Sequence, residues 1–426
     1  MSRPQPAVKP TVAPPTTPAP SVIIPVDSAP APTTTEAPAA PVTINDAISA
    51  AVSFILKTQE GDTNAEWPYE GVYRVRGEIP IGYRVGGTGI CAVALLRAPG
   101  YAADRTRQEA VARAVRFVCD STAHPLMSVD GYAAGYDARG WGYTYGLWFL
   151  LAATEPALPE EGSLSPELRD AATRAISHYV GAIEGTQIPE CGGWNYARSP
   201  GKDTSCPPSP FMTASTLQAL FEAKRRGLDV KPETIERALK MLERGRIAGG
   251  GGAVTYSISG KASPNDRTPG AVGRMLCTEN TLYLAGRGSA EGVRGALDAF
   301  IVHWEWLEKR RAKPGTHAGP YAVAPYYFYY AHYFAAQAVE LLPEGERAEY
   351  RRRVSDLLFR TRAAESGSWN DRVFPRTANY GTAMAVLSMT AADGPAPAAY
   401  EGTPLSTPPA TGALQPKEDG AALGRP

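Results

Sequence analysis

The chain has 426 residues, 43% of them hydrophobic, which is enough to bury one large core or two ordinary ones. Lysine and arginine number 43, as do aspartate and glutamate, so the zero net charge gives no field that would gather nucleic acid or an anionic membrane. No apolar run approaches the roughly 20 residues that span a bilayer, so no transmembrane helix is predicted.

Both ends of the chain have the composition of tails. Residues 1–43 are mostly Pro, Ala, Thr and Val with hardly any charge, and proline favours an extended backbone, so we expect a disordered linker. Residues 393–426 have the same character and are also predicted to be disordered. No signal segment precedes the linker, so the expected location is cytoplasmic; a chain that had lost its start would instead be exported or tethered.

Residues 44–392, between the tails, alternate helical segments with Gly- and Pro-rich loops, and the segments form pairs. The first of each pair is amphipathic and charged on one side: 44–58, 107–120, 167–183, 232–245, 292–308 and 345–362. The second is almost uncharged and rich in Ala, Leu, Thr and Tyr: 88–98, 143–154, 211–224, 276–286, 325–342 and 378–391. Six outer helices with one solvent-exposed face and six buried inner helices predict an all-α fold, an α/α toroid of six hairpins with a central cavity.

A glycine-tryptophan turn precedes several of the inner segments. It occurs as CGGWNYAR at 191–198 and as GSWNDR at 367–372, and we interpret RGWGYTYG at 139–146 as a third copy. Glycine permits the left-handed backbone that ends a helix. Tryptophan can then cover the end of the hairpin while its N–H donates to a carbonyl. We therefore predict a structural role for this turn.

These segments resemble the Gln-x(2–5)-Gly-x-Trp repeat of squalene and oxidosqualene cyclases and of protein prenyltransferase β subunits. QIPECGGW at 187–194 fits the repeat, SGSW at 366–369 keeps the Gly-x-Trp, and QEGDTNAEW at 59–67 keeps the Gln and Trp. Across residues 44–392 the chain looks like a group of bacterial squalene-cyclase-repeat proteins. The resemblance implies the toroid, and it implies isoprenoid ligands as one possibility.

The catalytic motifs of these relatives are absent from the sequence. Neither Asp-x-Asp-Asp nor Asp-Asp-x-x-Asp occurs. Prenyltransferase β subunits place Asp, Cys and His around zinc, and Cys277 and His332 lie on predicted inner helices, but Met275 stands where the resemblance requires the aspartate. No Cys-x-x-Cys occurs and no two histidines have metal-ligand spacing. We predict neither a metal site nor a cofactor.

The most distinctive inner segment is PYYFYYAHYF at 325–334. Tyr326, Tyr329, Tyr330 and Tyr333 recur at i, i+3, i+4 and i+7 and so form one stripe, which either lines the cavity and binds a ligand or packs between helices. His332 lies beside the stripe. It is either a hydrogen-bonded structural group or, facing the cavity, a general acid or base.

Charged groups at the starts of inner segments are the other candidates. Asp137 is a candidate catalytic carboxylate and Arg139 a candidate ligand-binding cation, although a carboxylate near a helix N-terminus also serves as an N-cap or in a salt bridge. Asp203 and the Asp371–Arg372 pair occupy similar loops. Together these loops either ring one mouth of the cavity or form a solvated rim.

Glu279 opens another inner segment, where an unpaired buried carboxylate is costly, so it is either a surface group or a ligand-binding one. Three functions remain open. The leading one is a toroid whose aromatic-lined cavity binds a small or chain-like molecule, with catalysis unproven. The alternatives are an isoprenoid cyclase or prenyltransferase-like enzyme without the usual Asp motifs, and a carbohydrate-active lyase or hydrolase. The expected partners are therefore small molecules, isoprenoids or glycans.

Overall fold

The structure is a computed structural model of the chain. It describes residues 42–71, 73–130, 138–156, 158, 164–196, 206–249, 251–256 and 266–400. Contacts between residues divide the chain into two compact units at the bond between Val42 and Thr43. Every helix named below belongs to the unit that begins at Thr43. Two residues named above, Asp137 and Asp203, lie outside the described residues.

The described part of the chain contains twelve α-helices and no strand. The outer helices are α1 (Ile44–Lys57), α3 (Arg105–Asp120), α5 (Pro166–Gly185), α7 (Pro232–Gly245), α9 (Ala290–Glu308) and α11 (Glu344–Phe359). The inner helices are α2 (Ile81–Arg97), α4 (Arg139–Ala153), α6 (Pro210–Arg225), α8 (Val272–Leu284), α10 (Phe328–Leu341) and α12 (Thr377–Met389). No helix among these residues is both long and apolar enough to cross a bilayer.

The inner helices form a closed ring. Each packs on the next inner helix in chain order, from α2 on α4 through to α10 on α12, and α12 packs back on α2 and α1. An inner helix is therefore covered on nearly all sides, and residues 85–96 of α2 are all buried. The outer helix α7, by contrast, buries only the face that carries Ile235, Leu239 and Leu242. The predicted all-α toroid is confirmed.

Three tryptophans tie an outer helix to the inner helix of the same hairpin. The indole N–H groups of Trp67, Trp194 and Trp369 donate to outer-helix carbonyls over 2.6, 2.7 and 3.0 Å. Gly192 and Gly193 adopt φ angles of 72° and 77° just before Trp194, as the predicted left-handed turn requires. The backbone amides of the same tryptophans donate over 2.9 to 3.0 Å to hydroxyl groups on the inner helices, those of Thr88, Thr213 and Thr382.

The interpretation of residues 139–146 as a third copy of this turn is wrong. These residues are the first two turns of α4, and Trp141 is a buried residue of that helix. Its ring packs against Tyr69 and Tyr83, with centroids 5.3 and 5.6 Å away. Gly142 and Gly146 of this segment serve helix packing instead, because a Cβ atom on either would crowd α2.

Replacing Gly82 in α2 by alanine is expected to lower the free energy of unfolding by about 2–3 kcal/mol. A Cβ atom on Gly82 would overlap the backbone carbonyl of Ala138, and backbone atoms cannot rotate away as a side chain can. Gly181 in α5 is the control, since a Cβ atom there meets nothing within 4 Å. Gly181→Ala should raise stability by roughly 0.5–1 kcal/mol. Denaturant titration measures both variants, and a Gly82→Ala protein as stable as wild type would contradict the close approach of α2 and α4.

Candidate functional site

Aromatic side chains of α4 run along the inside of the ring. Trp141, Tyr145 and Trp148 stand at i, i+4 and i+7 and so share one helix face, with successive ring centroids 5.0 and 6.0 Å apart. Tyr333 of α10 continues the series, 6.1 Å from Trp148. We call these four residues the aromatic column. Tyr145 and Trp148 were not singled out from the sequence, although their spacing from Trp141 carries the signal of a common face.

Where the inner helices begin, the aromatic column meets further buried rings. Tyr69 lies 5.2 Å from Tyr83, 5.3 Å from Trp141 and 5.0 Å from Tyr380, measured between ring centroids. Most of these pairs are edge-to-face or tilted, the arrangements that aromatic quadrupoles favour. We call Tyr69, Tyr83, Trp141 and Tyr380 the N-terminal cluster. The other three rings of the cluster thus pack around the ring of Tyr69.

Asp371 lies beside the N-terminal cluster and has no exposed surface. It follows the Trp369 turn in the loop between α11 and α12, where its own carbonyl accepts the amide of Ala312 over 2.8 Å. Within the described residues, neither carboxyl oxygen of Asp371 accepts a hydrogen bond of normal geometry. The backbone amides of Asp371 itself and of Tyr329, in the first turn of α10, are still close enough to lower the pKa of this carboxyl group. A buried acid with no well-formed hydrogen bond on either oxygen calls for an explanation.

Burial raises the pKa of Asp371 to about 7, because removing the carboxylate from water costs more than Arg372 and Arg311 restore by their positive charges. The pKa values of Tyr69 and Tyr380 are also raised, first by burial and then by the nearby Asp371 charge. A carboxyl group that titrates near neutral pH suits general acid catalysis. Of the two alternatives predicted for the Asp371–Arg372 pair, the solvated rim is wrong, since both residues are buried.

The structure separates the four tyrosines of the predicted stripe. Residues Pro325–Tyr327 form a 3-10 turn before α10 begins, so Tyr326 leaves the helical register. Its hydroxyl lies 3.1 Å from Nε2 of His317. Tyr333, two turns further along, belongs to the aromatic column and lines the cavity described below.

The other two tyrosines of the stripe are fully buried against different helices. The Tyr330 hydroxyl lies 2.9 Å from the Ser215 hydroxyl of α6, and its ring stacks on Phe211 with centroids 3.7 Å apart. The Tyr329 hydroxyl donates to the side chain of Thr361, beyond the end of α11, over 3.2 Å. Both side chains therefore pack between helices, and a ligand contact for either stays a prediction.

His332 points toward the outer helix α9. Its Nε2 atom accepts the indole N–H of Trp304 over 2.9 Å, and its ring lies 4.9 Å from that of Phe300. Burial lowers the pKa of His332 to about 3, with a smaller contribution from the charge of Arg311. The imidazole is therefore neutral at physiological pH. This geometry is that of the structural alternative, and a catalytic role for His332 stays a prediction.

The two charged ligand-binding candidates are both buried and both have partners. Arg139, the first residue of α4, donates to the carbonyl of Ser128 over 2.5 Å. Glu279 of α8 forms a two-pronged ion pair with Arg246, with N–O distances of 2.7 and 2.5 Å. Partners of this kind are what a buried charge requires. Neither residue is among the described residues that line the cavity at the C-terminal ends of the inner helices, so their ligand-binding roles stay predictions.

A cavity of about 150 Å³ opens at the opposite end of the ring, where the inner helices finish. The rings of Tyr145, Trp148 and Tyr333 form its aromatic wall. Gln218 and Gln337 contribute a reciprocal pair of amide hydrogen bonds of 3.0 and 2.9 Å. Residues 394–398, which follow α12, form another wall and are called the strap. Across the described residues, no three His, Cys, Asp or Glu side chains gather as metal ligands do.

No protein-family profile matches the sequence, and no curated protein matches it. Among solved structures, a variant of the type II terpene cyclase MstE from Scytonema, in complex with geranylgeranyl dihydroxybenzoate, is similar at 14% identity with a TM-score of 0.50, covering 82% of this chain and 97% of that one. A possible member of the GH105 family from Salmonella enterica is 12% identical with a TM-score of 0.48, covering 85% and 95%. The likeness to MstE shows a shared fold, which by itself does not carry a reaction.

Proposed function

We propose that the protein binds an unsaturated, chain-like hydrocarbon ligand along its aromatic interior and that Asp371 donates the proton that starts cyclisation of this ligand. The observation that carries the proposal is the Asp371 carboxyl group, which is fully buried beside the N-terminal cluster and accepts no hydrogen bond of normal geometry from the described residues. Its pKa of about 7 keeps a large protonated fraction at neutral pH.

The proposed reaction needs no metal, oxidant or second substrate. The carboxyl proton of Asp371 adds to one carbon of a double bond, whose π electrons form the new C–H bond and leave a cation on the other carbon. Further double bonds attack this cation and close rings, and loss of a proton from carbon ends the sequence. The product is thus an isomer of the substrate, and the proton that leaves restores the acid by way of solvent.

The surroundings of Asp371 suit such a cation. The faces of Trp141 and the tyrosines of the N-terminal cluster attract positive charge through their quadrupoles, by roughly 0.5–2 kcal/mol per favourable contact. Burial keeps water from capturing the cation early. The fold accommodates chains of this kind, since the similar MstE structure contains a geranylgeranyl compound.

The carbohydrate-active alternative has less support from this site. Hydrolysis of a glycosidic bond ordinarily uses two carboxyl groups that flank the scissile bond. The charged side chains that shift the pKa of Asp371 are the arginines Arg372 and Arg311, and no carboxylate is among them. A lone acid among aromatic rings fits protonation of an alkene better than it fits sugar chemistry.

Incubation with geranylgeraniol in D₂O tests the proposal. Wild type is expected to yield a cyclic isomer that carries one carbon-bound deuterium from the enzyme's exchanged acid, seen as a gain of one mass unit. Asp371→Asn should yield no product, because an amide does not donate this proton. Asp356→Asn is the matched control, since Asp356 is an exposed carboxylate on the outer helix α11. It should leave the rate unchanged.

The pH profile gives a second readout. Turnover by wild type should fall as pH rises through about 7, because the acid that donates the proton is then ionised. Circular dichroism should show that Asp371→Asn is folded, since a neutral amide avoids the cost of a buried anion. Recovery of unchanged substrate from wild type, or full activity of the Asp371→Asn variant, would overturn the proposal.

A further inference from the structure

The cavity at the C-terminal ends of the inner helices contains three hydrogen-bond donors without partners. Arg97, the last residue of α2, lines the cavity and makes no hydrogen bond or ion pair with any described residue. The indole N–H of Trp148 and the hydroxyl of Tyr333 also have no partner in that part of the chain. Burial lowers the pKa of Arg97, which records the cost of keeping its charge there.

The remaining polar side chains of the cavity are already paired. Glu155 and Glu222 both bind Arg225, over 3.1 and 2.5 Å. Glu340 binds Arg351 over 2.5 Å, and the amides of Gln218 and Gln337 bind each other. Among the described lining side chains, Arg97 is therefore a cation that no carboxylate contacts within ion-pair distance, although Glu155 and Glu222 attract its charge from further away. An anion that enters the cavity would meet this guanidinium and two neutral donors.

The walls of the cavity limit what the anion is attached to. Tyr145, Trp148 and Tyr333 present aromatic rings, and the strap adds Pro395 and Pro397. A cavity of about 150 Å³ is the size that holds a single six-membered ring. We propose that this cavity binds a small carboxylic acid carried on one ring, with the guanidinium of Arg97 pairing the carboxylate and the aromatic side chains packing on the ring.

The strap is held in place by contacts of a residue that follows it. Tyr400, just after the strap, donates its amide to the carbonyl of Leu284 over 2.9 Å, and its ring stacks on Phe221 at 5.3 Å and 12°. These contacts hold residues 394–398 across the ends of the inner helices. The cavity lies at the opposite end of the ring from Asp371, so this inference does not depend on the function proposed for Asp371.

Calorimetric titration of the full chain with benzoate tests the inference, with benzamide as the neutral ligand of the same shape. Benzoate should bind at least tenfold more tightly than benzamide, because a hydrogen bond to a charged group is worth roughly twice a neutral one. Arg97→Met should weaken benzoate binding at least tenfold and leave benzamide binding within twofold. Arg105→Met is the matched control, since Arg105 is an exposed arginine of α3 that does not line the cavity. It should change benzoate affinity less than twofold.

Two further arms keep the test decisive. Tyr333→Phe removes one donor and keeps the ring, and it should weaken benzoate binding several-fold even if Arg97→Met proves unstable. Inorganic phosphate should bind more weakly than benzoate, because it cannot use the aromatic wall. The inference fails if benzoate shows no binding up to about 10 mM, if benzamide binds equally well, or if phosphate binds as tightly as benzoate.

Discussion

Replacing Trp67 by alanine is expected to lower the free energy of unfolding by about 4 kcal/mol. The side chain is fully buried between α1 and α2, so its removal leaves a large cavity. The substitution also removes the hydrogen bond of 2.6 Å from the indole N–H to the carbonyl of Ile55. That carbonyl, in the last turn of α1, also accepts from the amide and the hydroxyl of Thr58 over 3.2 and 3.1 Å, so most of the loss comes from the cavity. Denaturant titration at neutral pH measures the loss.

Two variants separate the causes of this loss. Trp67→Phe keeps most of the buried ring but removes the shortest hydrogen bond to the Ile55 carbonyl, so about 0.5–1.5 kcal/mol should be lost. Trp306→Ala is the control for the residue type, because Trp306 of α9 is exposed at 36%. It should change stability by no more than about 1 kcal/mol. A Trp67→Ala protein within that same range would contradict the role of the tryptophan in joining the two helices.

Lowering the pH from 7 to 5 is expected to destabilise wild type by about 2 kcal/mol more than it destabilises His332→Gln. The pKa of this imidazole is about 3 in the folded protein and near 6.5 in an unfolded chain. Below pH 6.5 the unfolded state therefore binds a proton that the folded state does not, and stability falls as the pH falls. Extended to pH 3, the same linkage reaches about 4 kcal/mol.

Glutamine separates the charge of His332 from its hydrogen bond. Its side-chain carbonyl can still accept the indole N–H of Trp304, which His332 accepts over 2.9 Å, but it does not titrate. The difference in unfolding free energy between the two proteins should therefore be constant above pH 7 and change steadily below it. Parallel pH curves for the two proteins would show that His332 titrates normally in the folded state.

The helices were predictable because charge and apolar spacing divide them into two kinds. Glycine explains why the first residues of two inner helices were predicted in the wrong place. The inner helix predicted at 88–98 begins seven residues earlier, at Ile81, and α4 begins at Arg139 and not at 143. Glycine weakens helices intrinsically, so the sequence predicts loops for the stretches IGYRVGG and RGWG. In the folded protein Gly82, Gly86 and Gly142 are needed where α2 and α4 meet, and tertiary packing overrides their propensity.

The candidate site was less predictable because it depends on contacts distant in sequence. The environment of Asp371 comes from Tyr69, Tyr329 and Tyr380, on three different hairpins. Nothing in the local sequence WNDR distinguishes a buried acid from a surface one. Likewise, the pattern of α10 shows which tyrosines share a face but not which neighbour that face meets. The common face of the α4 aromatic residues could have been predicted from their spacing, but the neighbouring glycines did not favour a helix there.

The packing of α12 on α1 and α2, reinforced by an ion pair of 2.9 Å between Arg376 and Glu60, has a consequence for synthesis of the chain. The first hairpin to leave the ribosome finds its second neighbour only when the last one has emerged. An open array of repeats tolerates the loss of a terminal unit, because only one interface goes with it. Here, deletion of residues 377–389 would expose apolar faces of both neighbouring hairpins at once. For the same reason, the nascent chain exposes these faces until its final helix is made, and chaperones would have to shield them.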